Sequence, residues 1–372
     1  MTLRDVIKSI DWVLIGSASL LVLIGLAMLF SSTYEQGITS RFIRQLIAFG
    51  LGISLCLVVT RLPYHFLRSY APPIYLAGVI GLLVVFFTAQ IIRGAASRLD
   101  IFGFQLQPSE IMKVALIVGL AAFLASRKNL RWRGFLQSSL VAGLPIGLVI
   151  LEPDIGMAAL LIATWLGVMF YSGIPWRYIF LLGGGGVGVF LAAWKWGFEE
   201  YQKMRLLVFL DPTSDPLGAG YNVVQSMIAL GSGRILGRGL GHGPQSQLKF
   251  LPEQHTDFIL ASIGEELGFI GLFLVLLLYG IVLWRILAIA NRTQDTFGQL
   301  LAVGVFVSLL SSLTVGAGMN MGLLPVTGIP LPFLSYGGSN LLSTFLMIGI
   351  VESVHVYGKW VQPPPSEISY LS

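Results

Sequence analysis

Long apolar runs separated by short polar breaks set the pattern of this chain. The runs lack the alternation of a half-buried strand, and about 20 such residues cross a bilayer as a helix. They lie near 12–30, 42–60, 72–92, 108–126, 136–151, 155–172, 177–195, 258–284, 297–319 and 335–358. The pattern predicts an all-α polytopic membrane protein with ten transmembrane helices. Only Glu152-Pro153-Asp154 separates the fifth and sixth runs, so they form a tight hairpin. The one long polar interval, 196–257, is too rich in glycine for a plain linker. Its glycines, among them Gly218, Gly220, Gly231 and Gly233, mark tight turns or close backbone approach. Its short apolar run at 223–230 reads as a helix lying in the interface.

Composition agrees with the pattern. Hydrophobic residues make up 55% and charged residues 11% of 372, against about 25% charged in a soluble domain. The single Cys56 excludes an intramolecular disulfide and sits in an apolar run. The first run is long enough to span and lacks a small-residue cleavage site, so no cleavable signal peptide is expected. An even number of spans puts both termini on one side. With a cytoplasmic N-terminus, twelve Lys and Arg fall in the short inner segments and four in the outer ones (Arg41, Arg44, Arg93 and Arg98). The positive-inside rule therefore makes both termini cytoplasmic. The net charge of +5 follows topology and marks no nucleic-acid partner. Residues 1–372 then form a single transmembrane domain. Segment 196–257 is a large extracytoplasmic loop between the seventh and eighth spans, and 363–372 is a short cytoplasmic tail.

Candidate chemistry gathers at the outer face. The stretch 248–258 closes the polar interval and carries Glu253, His255 and Asp257. Thr256-Asp257 reads as a helix entrance, Thr256 as N-cap and Asp257 in the first turn. Asp257 then either complements the helix dipole or is a carboxylate held at the membrane surface to accept a proton. Glu110 and Lys113 share one face of the fourth span at i, i+3. Ionisable groups there are costly, so they form either a structural ion pair or a cationic ledge for an anionic ligand. Asp154 caps the sixth span from the outer side. Glu265 and Glu266 do not share the Asp257 face, which suits packing or hydrogen bonding. The Pro- and Gly-rich segment 324–339, with Ser335, reads as a bent or re-entrant entrance to the last span. With Arg205 these residues outline a polar, outward-facing cavity. The Gly-x-Gly spacings lack a strand–loop–helix frame, so no nucleotide is expected, and neither is a haem or a flavin. A transporter with Glu110, Lys113 and Asp257 as a gating network stays open. Charges clustered at one leaflet, with no polar trail to the other, count against it.

Several stretches carry a resemblance. They are Gln107-Pro108-Ser109-Glu110-Ile111-Met112-Lys113, Glu152-Pro153-Asp154-Ile155-Gly156, and Asp215-Pro216-Leu217-Gly218-Ala219-Gly220-Tyr221. Further on come Leu251-Pro252-Glu253-Gln254-His255-Thr256-Asp257-Phe258, Gly264-Glu265-Glu266-Leu267-Gly268 and Ser335-Tyr336-Gly337-Gly338-Ser339. In this order, over nearly the whole chain, they resemble the SEDS family (shape, elongation, division and sporulation) of peptidoglycan glycosyltransferases. Gln245-Ser246-Gln247-Leu248 is closer to the elongation members than to the division members. The loop Arg93-Gly94-Ala95-Ala96-Ser97-Arg98-Leu99 departs from the family's Lys-Gly-Ala and later Arg-Trp. Arg93 supplies the lysine's charge, and Arg98 stands one position from the family's arginine.

The resemblance implies polymerisation of lipid II into β-1,4-linked glycan strands in the bacterial cytoplasmic (inner) membrane, with undecaprenyl diphosphate leaving. Asp257 matches the family's essential aspartate, the proposed general base. Glu110, Lys113, Asp154, Arg205, Glu253, His255, Arg98 and Ser335 are the expected substrate-binding residues. A Mg²⁺ or Mn²⁺ ion on the diphosphate is expected, with unknown protein ligands. The implied partners are lipid II, the nascent strand, membrane lipid and a class B penicillin-binding protein. The alternative is a lipid II flippase or another transporter of lipid-linked substrates.

Overall fold

The computed structural model describes residues 8–31, 40–88, 99–101, 104–127, 132–175, 177–178, 184–186, 188, 191, 194–195, 197, 200–211, 219–248, 250–251 and 253–358. The apolar runs are helices. In order they are Trp12–Ser31 (α1), Ser40–Arg61 (α2), the short His65–Ser69 (α3), Ala71–Thr88 (α4), Pro108–Ala125 (α5), Trp132–Leu151 (α6) and Ile155–Tyr171 (α7). Glu200–Leu210 (α8), Ala219–Ser232 (α9) and Pro244–Gln247 (α10) precede Ile259–Arg292 (α11), Thr296–Asn320 (α12) and Gly338–Gly358 (α13). Eight of them, α1, α2, α4, α5, α6, α11, α12 and α13, are long and apolar enough to cross a membrane, and α7 is a shorter apolar helix. The expected seventh span, 177–195, lies largely outside the described residues. The interfacial run 223–230 sits inside α9. An antiparallel hairpin, Leu99–Ile101 (β1) with Phe104–Leu106 (β2), leads into α5.

Burial separates central from peripheral helices. The apolar windows of α5 and α13 are 72% and 78% buried, those of α2 and α4 only 22% and 28%. The first two lie in the core and the others leave most of their surface exposed. Lipid is as apolar as leucine, so close packing rather than water exclusion holds such helices together.

Helix α11 is broken at Gly268, which has φ 67° and ψ −163°. A break at membrane depth frees backbone groups that must find partners within the protein. Segment 234–239 supplies them. Phe269 and Ile270 donate to the carbonyls of Arg234 (2.9 Å) and Ile235 (3.2 Å), and Arg238 and Gly239 donate to those of Glu265 (3.0 Å) and Glu266 (2.9 Å). The buried Glu265 carboxylate accepts from Gln245 N, Ser246 N and Ser246 Oγ. Glu266 accepts from Ser31 Oγ, Gly241 N and Gln247 Nε2. Both acids therefore fasten the glycine-rich segment to the kink. A Cβ on Gly268 would lie 2.3 Å from Gly237 N, whereas one on Gly280 of the same helix meets nothing within 4 Å. Gly268→Val is expected to lower the melting temperature of the purified protein by roughly 5–15 °C. Gly280→Val should melt as wild type. Equal melting of the two variants would show that the docked segment does not depend on the kink.

Candidate active site

Asp257 lies in a compact turn, not in a helix. Glu253, at φ 52°, starts the turn, and its carbonyl accepts the amides of Thr256, Asp257 and Phe258 at 3.1, 3.1 and 3.3 Å. Helix α11 begins only at Ile259, with Phe258 flanking it and no side-chain cap at that position. This corrects the expected entrance. Thr256 is not the N-cap; its hydroxyl turns back to the Glu253 carbonyl and carboxylate. A first-turn amide of α11, that of Ala261, is instead capped from another helix. Asn320, the last residue of α12, accepts it at 3.0 Å and donates to the Asp257 carbonyl at 2.8 Å. One fully buried amide thus fixes both the helix start and the backbone of the aspartate.

The segment between α12 and α13 holds the turn from the other side. As the sequence suggests, it is irregular, and Ile329, Leu331, Phe333 and Leu334 bury it. Ser335 Oγ donates to the Thr256 carbonyl (2.6 Å) and accepts Leu331 N (2.9 Å). Tyr336 N donates to the His255 carbonyl at 2.8 Å. Ser335 thus pins the backbone next to Asp257. Gly328, at φ 73°, stands beside the acid, and a Cβ there would touch Asp257 Oδ2 at 3.8 Å. The buried Phe333 also adopts a left-handed backbone, φ 67°. Left-handed non-glycine residues cost of order 1–3 kcal/mol each and persist where surrounding structure imposes them.

Glu110 and Lys113 form a second cluster. Their ion pair is 2.7 Å long and both side chains are 1% exposed. Asn340 Nδ2 (3.2 Å) and Ser343 Oγ (2.7 Å) on α13 donate to the same carboxylate. Lys113 is thereby sealed against Glu110. Asp154 does cap α7, accepting Met157 N at 3.0 Å. Its other oxygen accepts Gln107 Nε2 at 3.2 Å, and Gln107 N donates to Ser339 Oγ at 3.0 Å. The N-terminal ends of α5, α7 and α13 are stitched together in this way. Gly156 brings α7 against the 324–337 segment: a Cβ there would lie 2.6 Å from the Thr327 carbonyl. The two clusters therefore adjoin through Thr327 and Gly328. Glu152 is buried beside them, and burial together with the Asp154 charge pushes its carboxyl up to about 8.

His255 is neutral at pH 7. Burial holds its pKa down to about 4, the Arg41 charge pushes the same way, and Glu253 opposes both. The Arg205 side chain and Arg98 lie outside the described residues. Among the described residues no group of three or more His, Cys, Asp or Glu side chains is arranged to hold a metal ion. Sequence reasoning missed Asn320, Asn340, Ser343 and Gln45. The available signal for Gln45 was a polar side chain within an apolar run.

Comparison with known proteins places this geometry. Residues 10–359 match the FtsW/RodA/SpoVE family, described as cell cycle proteins. The peptidoglycan glycosyltransferase MrdB of Escherichia coli (strain K12) is 39% identical over 350 residues, 92% of each chain. A solved chain described under structural coordination of polymerization and crosslinking by a peptidoglycan synthase complex is 33% identical. It superposes with a TM-score of 0.80, covering 93% of this chain and 97% of that one. The rod shape determining protein RodA of Thermus thermophilus is 28% identical with a TM-score of 0.71, covering 94% and 97%. This chain belongs to the SEDS (FtsW/RodA/SpoVE) family of peptidoglycan glycosyltransferases, multi-pass membrane enzymes of bacteria. Within that family it is RodA-like.

Proposed function

We propose that this chain polymerises lipid II into β-1,4-linked glycan strands for cell elongation and rod shape, with Asp257 as general base. The observation that carries the reading is the turn itself. An ionisable side chain sits outside the helix, its backbone pinned by Asn320 and Ser335, with Gly328 beside its Oδ2. Asp257 takes the proton of the acceptor GlcNAc 4-hydroxyl. That oxygen forms a bond to the anomeric carbon of the donor MurNAc, and the bond from that carbon to the diphosphate oxygen breaks. Its electron pair leaves on undecaprenyl diphosphate. One direct displacement inverts the centre and gives the β link. General-base help of this kind contributes about 10²–10⁴-fold, and stabilisation of the leaving charge adds to it. A Mg²⁺ or Mn²⁺ ion carried by the diphosphate needs few protein ligands, and no step above depends on one.

The topology belongs to the same proposal. Ten spans with both termini cytoplasmic place Asp257, Asp154 and the 324–337 segment at the outer leaflet of the cytoplasmic membrane, and 196–257 outside as one large loop. The partner is a class B penicillin-binding protein that cross-links the new strands; the synthase-complex relative supports a partner of that kind. The reaction is tested with lipid II whose GlcNAc lacks the 4-hydroxyl. As sole substrate it should yield no product, and mixed with native lipid II it should enter strands only at the end that carries the GlcNAc 4-position. Elongation from the deoxy substrate alone would overturn the mechanism.

A further inference from the structure

We propose that Glu152 is a positioning residue for the reaction: its carboxyl carries a proton that lets Asp154 hold the N-terminal ends of α5, α7 and α13 around the site. The inference rests on the polymerase reading and adds to it a titrating group. Glu152 lies in the break between α6 and α7, beside Pro153 and Asp154. It is 1% exposed, and its Oε1 is buried without a hydrogen-bond partner. A carboxylate so placed loses its hydration with nothing in return, whereas the neutral acid loses far less.

Among the described residues, the elements packed around this hairpin bring no cation to offset a charge there. Helices α4 and α5 pack against α6, and α5 and α12 against α7. Helices α4, α7 and α12 contain no Asp, Glu, Lys, Arg or His. Tyr75 of α4 is bonded to the Val141 carbonyl, and Tyr171 closes the far end of α7. Helix α5 brings Glu110 and Lys113, which are joined to each other. Arg133 stands at the opposite end of α6. The 324–337 segment, which meets α7 at Gly156, adds only Tyr336, and beyond Gly328 comes the Asp257 turn with Glu253 and the neutral His255. The charge that bears on Glu152 is that of Asp154, and with burial it pushes the carboxyl up to about 8.

Asp154 acts as an anion, accepting Met157 N with one oxygen and Gln107 Nε2 with the other, while Gln107 N reaches Ser339. A second negative charge on Glu152 would repel Asp154 and draw the hairpin toward water. The stitch between α5, α7 and α13 then loosens. Thr327 and Gly328, which rest against Gly156, lose their place beside Asp257. Polymerisation is thereby tied to the proton on Glu152.

The test is the pH profile of glycan synthesis from lipid II by the purified full chain, wild type beside Glu152→Gln. Wild type should lose about tenfold in rate from about pH 8 to about pH 9, the fall expected when one proton must stay bound. Glu152→Gln cannot ionise and should fall less than about twofold over the same interval. Melting temperatures without substrate give a second readout. The carboxyl titrates at about 8 in the folded protein against an ordinary 4.5, so the folded state of wild type weakens as pH rises between those values and no further above them. Glu152→Gln should therefore melt above wild type by a gap that widens from about pH 5 to about pH 8 and then stays constant. Parallel rate profiles, or a melting gap that does not change with pH, would overturn the inference and leave the polymerase reading intact. A widening gap in a protein that makes no glycan would uphold the buried proton and remove the polymerase reading.

Discussion

Lys113→Ala is expected to lower the melting temperature by roughly 5–15 °C and to cut the yield of folded protein severely. The substitution leaves the Glu110 carboxylate buried with only the neutral donors Asn340 and Ser343. Removing one partner of a buried ion pair costs about 3–5 kcal/mol, because the remaining charge keeps its desolvation penalty without its attraction. The cost falls on the contact between α5 and α13, the two most buried spans. Lys113→Met combined with Glu110→Gln removes both charges and should recover most of the loss. Recovery of stability without activity would show that the pair also serves the reaction. A single variant as stable as wild type would show that the pair does not hold these helices together.

Asp257→Asn is expected to reduce glycan synthesis by about 10²–10⁴-fold with little change in melting temperature. The amide has the shape of the acid and lacks its basicity. The backbone contacts that hold the position run to the Asp257 and Thr256 carbonyls, from Asn320 and Ser335, and survive the change. Lipid II binding, measured separately from turnover, should stay within a few-fold of wild type. A large loss of binding or stability would make Asp257 a structural residue rather than the base.

Much of the helical fold was legible because each apolar run is a local signal. The α5 and α13 boundaries follow from Pro108 and the glycine cluster before 338, and the Glu110–Lys113 pair from its i, i+3 spacing. The partners of that pair were not legible, because Asn340 and Ser343 come from a helix more than two hundred residues away in sequence. The start of α11 was misread for the same kind of reason. Thr256 has the chemistry of a cap, but Asn320 of α12 supplies the oxygen that the first turn uses. The glycine-rich 231–247 segment read as turns in a loop. Its docking into the α11 break depends on Gly268, whose left-handed backbone no local pattern marks inside an apolar run. Lys113 was weighed by its depth in the span, while the structure shows that Glu110 already holds its charge.

The most direct measurement is polymerisation of fluorescent lipid II by the purified full chain, wild type beside Asp257→Asn, with and without a divalent-metal chelator. Long glycan products from wild type and none from an Asp257→Asn protein that is equally folded are the predicted result. Equal product from both would contradict the account, since the base would then lie elsewhere than in the turn held by Asn320 and Ser335.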